Sequence, residues 1–284
     1  MGSSKRVQRL VRGLVPVVAM AAWLALGATA SAQSAVRSVH APWDSLLRAH
    51  VHDGVVNYQA FATAPAFKQY LASLDAVPVE QLSEPDRLAY WINVYNAYTV
   101  QLIVSHGERT SIRNINRSLG VLQLKGPWSE RLVHAAGKTY TLDEVFHRVL
   151  RKQFREPRMH FAVVPASKGA PPLRSEAYAG ERLEAQLEDQ TKRLLSDSTW
   201  TWYRRGVLGV NAVMLAYEKD FAASRVELVQ FVAPYVTLRS GEEQKKRLAE
   251  GKAIVVSRPY DWALNATPIT KPTPDNARPL PQSR

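Results

Sequence analysis

Residues 88–104, Leu-Ala-Tyr-Trp-Ile-Asn-Val-Tyr-Asn-Ala-Tyr-Thr-Val-Gln-Leu-Ile-Val, decide the fold. Ser83 is placed as the N-cap of a helix, Pro85 falls in its first turn, and Asp86 suits the positive helix end. Gly107 supplies the stop. Between these signals the segment is apolar nearly all round, which predicts a buried central helix rather than a surface one. Asn93 and Asn96 are three residues apart and share one face. Their amides are costly to bury unpaired, so each needs a partner.

The rest of the chain must pack around that helix. A short helix opens at Pro42-Trp43, a strand is expected at 55–58, and a helix covers about 65–75. Segment 108–130 is irregular, and a hairpin turns around Ala136-Gly137-Lys138. Thr141-Leu142-Asp143-Glu144 forms a capping box, which starts a helix running to about Lys152. An apolar run at 159–164 predicts a strand, and helices follow at 181–195, 207–220, 226–236 and 241–250. A strand at 253–256 leads to Tyr260-Asp261-Trp262. The expected architecture is one helix-rich α+β domain with a small antiparallel sheet carrying the 159–164 strand.

The first 32 residues read as a secretory signal peptide. Lys5, Arg6, Arg9 and Arg12 form the positive region, Leu14–Ala28 the apolar region, and Ala30-Ser31-Ala32 the cleavage site. Residues 33–41 are expected to be a loose leader, 42–267 the domain, and 268–284 a disordered Pro-rich tail. A periplasmic or secreted location follows, with no membrane span after cleavage. Loss of the four signal charges lowers the formal net charge from +12 to +8. The remaining basic residues are scattered and are not interleaved with aromatics, so nucleic acid is not an expected partner. With no cysteine in the chain, disulfides and thiolate metal sites are excluded, and stability must come from a core.

Residues 160–178 read His-Phe-Ala-Val-Val-Pro-Ala-Ser-Lys-Gly-Ala-Pro-Pro-Leu-Arg-Ser-Glu-Ala-Tyr. This stretch resembles a family known as domain of unknown function family 547. So do 89–103, Thr-Leu-Asp-Glu-Val-Phe-His-Arg-Val-Leu-Arg at 141–151, Tyr-Glu-Lys-Asp-Phe at 217–221, and Tyr-Asp-Trp-Ala-Leu-Asn at 260–265. The resemblance implies a fold comparable, by analogy, to papain-like or transglutaminase-like thiol enzymes. Where that family carries two cysteines this chain has Pro165 and Ala170, and where it carries a glutamate before His147 this chain has Phe146. A thiol mechanism is therefore excluded.

The candidates for catalysis are His147 and His160 as bases and Ser167 as a nucleophile, although no G-x-S-x-G elbow is present. Asn93, Asn96, Arg174, Glu176 and Tyr178 are expected to line a polar ligand pocket together with His160. Arginine's fork suits a carboxylate or phosphate, whether from a ligand or from an internal partner. Trp91, Trp128 and Trp262 are expected in the core rather than as a sugar platform. His50-Val51-His52-Asp53 has strand spacing for two imidazole ligands, but a solvated loop edge is the preferred reading, so neither a metal nor a cofactor is assigned.

The first functional expectation is an exported binding or scaffold protein for an unknown ligand or envelope component. The alternative is a cell-envelope hydrolase or transferase using His147, His160 and Ser167. A metal-binding protein is the third.

Overall fold

A computed structural model describes residues 39–116, 126–238 and 241–268. The expected signal peptide, most of the leader and the tail beyond Pro268 lie outside these residues. The elements in chain order are α1 (39–50), β1 (Val51–His52), β2 (Val55–Val56), α2 (Tyr58–Thr63), α3 (Pro65–Ser73) and α4 (Glu84–His106). The hairpin β3 (Val133–Ala135) and β4 (Lys138–Tyr140) follows. Next come α5 (Leu142–Glu144), a π-helical stretch (Val145–Leu150), α6 (Arg151–Gln153), α7 (Met159–Ala162) and α8 (Leu183–Ser196). The chain continues through β5 (Trp202–Arg204), β6 (Val207–Val210), α9 (Ala212–Ala216), α10 (Glu218–Phe221), α11 (Arg225–Val232), α12 (Glu242–Ala249) and β7 (Ile254–Ser257).

Helix α4 is the axis that its sequence predicts. Ser83 caps it by accepting from the Asp86 N–H, and Gly107 ends it in the left-handed conformation. Nearly every residue from Leu88 to Ile103 is buried. Its polar side chains reach other elements: Tyr90 donates to the Leu74 carbonyl and Tyr98 to the His134 carbonyl. These bonds staple α3 and the β3–β4 hairpin to the core.

Two expectations for secondary structure are overturned. Residues 159–164 are not a strand: Met159–Ala162 form the single turn α7, after which the chain extends. The reason lies in Asn96, whose amide donates to the Ala162 carbonyl and accepts from the Val164 N–H. One side chain satisfies the backbone groups that a neighbouring strand would have taken. Residues 207–220 are likewise not one helix but β6, α9 and α10. Arg205 and Gly206 both have positive φ, which makes the tight two-residue turn of a β5–β6 hairpin. Within 55–58 only Val55–Val56 is strand, because Asn57 caps α2.

Three small sheets result. β1–β2 and β3–β4 are antiparallel pairs, while β5–β6–β7 adds a parallel β6–β7 ladder to an antiparallel hairpin. The larger hydrophobic cluster surrounds α4. A second cluster, with Leu194, Leu208, Met214 and Val229, covers the three-stranded sheet. The α7 segment lies on the seam, with Phe161 in the second cluster and Ala162 and Val163 in the first.

Past β7, residues 260–268 run as a strap across the molecule. Its carbonyls and amides pair with Lys168, Gly169, Val56 and Thr110. The Asn265 side chain accepts from the Tyr58 hydroxyl and donates to the Gly54 carbonyl.

Candidate functional site

The seam between the clusters opens into a cavity of about 330 Å³. Five helical parts of the chain contribute to its wall: α4 with Tyr95, α5 with Asp143, the π-helical stretch with Phe146 and His147, the α7 segment with His160 and Pro165, and α9 with Tyr217 at its end. Trp128, Tyr260 and Trp262 complete it. The tryptophans expected as pure core divide here. Trp91 is buried, whereas Trp128 and Trp262 are half-buried cavity walls with ring centroids 6.1 Å apart.

His160 is wholly buried, and its Nε2 lies 2.7 Å from Asp220 Oδ2. Asp220 is gripped from its other side by Arg151, which donates from Nε and Nη2 at 2.5 and 2.9 Å. A third guanidinium nitrogen donates to His147 Nδ1 at 3.0 Å, so that nitrogen is an acceptor. Tyr217 lies beneath this group: the His160 ring stacks on it at 4.7 Å, and the Arg151 guanidinium sits 4.8 Å from the ring centroid. Phe146 meets His160 edge-on at 5.5 Å.

The electrostatics follow from this packing. Burial pulls the His160 pKa down to about 4, against the upward pull of Asp220, so the imidazole is neutral at pH 7. Hydrogen bonding from Arg151 holds the Asp220 carboxyl below its ordinary value. Burial also lowers His147 and raises Asp143, a carboxylate of the cavity wall. With Asp220 ionised, the neutral His160 donates from Nε2, which leaves Nδ1 as an acceptor. That Nδ1 is buried without a partner among the described residues, as is the indole Nε1 of Trp128.

Of the residues predicted for catalysis, His147 and His160 both line the cavity. Ser167 does not line it: the hydroxyl is buried and lies 2.6 Å from the Tyr260 hydroxyl, touching the cavity only through that neighbour. The expected polar pocket does not form, because among its six residues only His160 faces this cavity. Asn93 instead clamps the backbone of Tyr178, donating to its carbonyl and accepting from its N–H. Asn96 holds the α7 segment in the same manner.

Arg174 takes the internal pairing, with Glu176 at 2.6 Å and with Asp189. Glu176 also receives Arg182. Tyr178 is buried, with its hydroxyl unpartnered, beside His40 and Asp86 in a different depression. Asp220, Arg151, Asp143, Tyr217 and Tyr260 belong to the site without being among the residues expected from the sequence. The i, i+4 ladder Asp143–His147–Arg151 was a readable signal, since such spacing places side chains on one helix face.

Among the described residues no group of three or more His, Asp or Glu side chains could hold a metal ion, and no helix is long and apolar enough to cross a membrane. The fold and site define a helix-rich α+β protein whose aromatic cavity sits beside a His–Asp–Arg group. A family model described as a protein of unknown function, DUF547, matches residues 79–195, in agreement with the resemblance read from the motifs. The match contains the Tyr95, Phe146, His147, His160 and Pro165 part of the wall, while Asp220, Tyr260 and Trp262 lie beyond it. No curated protein and no solved structure matches the chain.

Proposed function

We propose that this is an exported small-molecule-binding protein whose ligand occupies the seam cavity. One observation carries the reading: six aromatic residues, Tyr95, Trp128, Phe146, Tyr217, Tyr260 and Trp262, converge on one concave space with few polar groups. Such a space is the usual form of a ligand site. Phe146 and Pro165 fill the wall where the resemblance would place a glutamate and a cysteine, which favours binding over turnover. Tryptophan fluorescence of the purified protein should change on ligand addition, and Trp262→Ala should weaken binding about tenfold or more through loss of stacking area. Unchanged affinity in that variant would move the ligand to another surface. For the exported protein, mass spectrometry should find a mature chain beginning at Gln33. An intact Met1 start in the exported fraction would remove the cleaved-signal reading.

A second reading, a hydrolase or transferase of envelope peptide or glycan, is favoured by one feature. A neutral imidazole oriented by an ionised carboxylate is the arrangement of a general base. With no thiol and with Ser167 bonded to Tyr260, the nucleophile in that reading is water or a second substrate. Loss of a measured turnover in His160→Ala, with ligand affinity kept, would establish it over binding alone.

A further inference from the structure

The wall of the cavity has an unusual charge balance for this chain. Lys and Arg outnumber Asp and Glu by 37 to 25, yet among the described residues no Lys or Arg lines the cavity. The ionisable groups that do line it are Asp143, His147, His160 and the three tyrosines. Burial lowers both histidines and raises all three tyrosines, so each of these groups is uncharged at neutral pH. Among the described residues Asp143 is the one charge left on the wall.

That carboxylate has no hydrogen bond or ion pair among the described residues, although arginines are close by. Arg148 and Arg131 both go to the neighbouring Glu144, at 3.2 and 3.6 Å. Asp143 and His147 are exposed and stand at the mouth, one helical turn apart. The aromatic faces behind them already attract cations. Arg151 lies over Tyr217, and the exposed Arg113 lies over Trp262 at 5.1 Å. Ring faces carry negative quadrupole density, so a second cation entering from the cavity side is favoured by the same physics. Arg113 opposes such a cation but is solvent-screened, and the charge of Arg151 is balanced by Asp220.

We infer that the cavity selects organic cations, specifically a protonated amine carried on a flat apolar body. The ammonium sits at Asp143 and the body lies among Phe146, Tyr217, Tyr260 and Trp262. This rests on the binding reading above and adds the ligand's charge to it.

Three probes of nearly equal shape separate the two ideas: 2-phenylethylamine, 2-phenylethanol and 3-phenylpropanoate, titrated into the full-length protein at pH 7 and followed by tryptophan fluorescence and NMR shifts. The amine should bind about five-fold tighter than the alcohol, and the carboxylate more weakly than either. Asp143→Asn should erase the amine's advantage without changing the alcohol's affinity, and Asp143→Glu should retain it. The Asp143 side chain makes no hydrogen bond among the described residues, so circular dichroism of both variants should match the parent. Equal binding of the three probes, or an amine preference surviving in Asp143→Asn, overturns the cation inference and leaves the binding cavity standing. Failure of all three to bind at millimolar concentration overturns both.

Discussion

At the residue scale, His160 is the most consequential side chain. It was legible in the sequence as a pocket-wall histidine, because it opens an apolar run. Its partner was not legible: Asp220 is 60 positions away, and no local pattern joins the two. The pairing has a consequence for acid stability. The folded state holds His160 neutral down to about 4, whereas the unfolded chain takes up the proton near the ordinary histidine value of 6.5. The unfolded state therefore binds more protons between those values, and stability falls as pH is lowered through that window. The contribution is fully present above about pH 6.5 and amounts to something on the order of 3 kcal/mol. Buried His40, lowered to about 3, acts in the same direction. Asp220 titrates below the ordinary carboxylate value of 3.8, outside this window. His160→Phe should flatten, though not abolish, the decline in urea midpoint between pH 7 and pH 4. An unchanged slope would mean that His160 is not held neutral.

At the element scale, the two asparagines of α4 replace strand pairing. The sequence implies that Asn93 and Asn96 need partners, and a ligand is the expectation it supports. The partners are the backbones of Tyr178 and of Ala162 and Val164. The apolar run at 159–164 looked like a strand because its composition suits one. Composition could not disclose that a buried amide on another element would take up its hydrogen bonds. The β5–β6 hairpin was missed for a related reason: apolar residues in 207–220 fit a helical period, and the Arg205-Gly206 turn was the discordant signal. By contrast α4, the β3–β4 hairpin and the capping box at Thr141 were legible, because each is specified by residues within a few positions. Asn96→Ala leaves a buried carbonyl and a buried N–H unpaired, which should cost roughly 2–4 kcal/mol in equilibrium urea unfolding. A cost below about 1 kcal/mol would show that the α7 segment finds other partners.

At the scale of the whole molecule, the cavity lies at the edge of the larger hydrophobic cluster, which contributes Tyr95, Phe146 and Val163, and Val213 and Tyr217 reach it from the side of the second. The strap at 260–268 packs on the larger cluster and provides Tyr260 and Trp262 to the wall. Its side-chain bonds span 93 residues to Ser167, 207 to Tyr58 and 211 to Gly54. Contacts of such sequence separation form late, because loop-closure entropy must be overcome before they are rewarded, whereas an isolated helix equilibrates in about a microsecond. Refolding should then proceed in two stages, with far-ultraviolet dichroism recovering before the fluorescence component that disappears in Trp262→Phe. Simultaneous recovery of the two signals would rule out this order. If the order holds, a chain still in the act of folding contains its helices but an open-sided cavity, and the wall closes only when residues 260–268 are laid down.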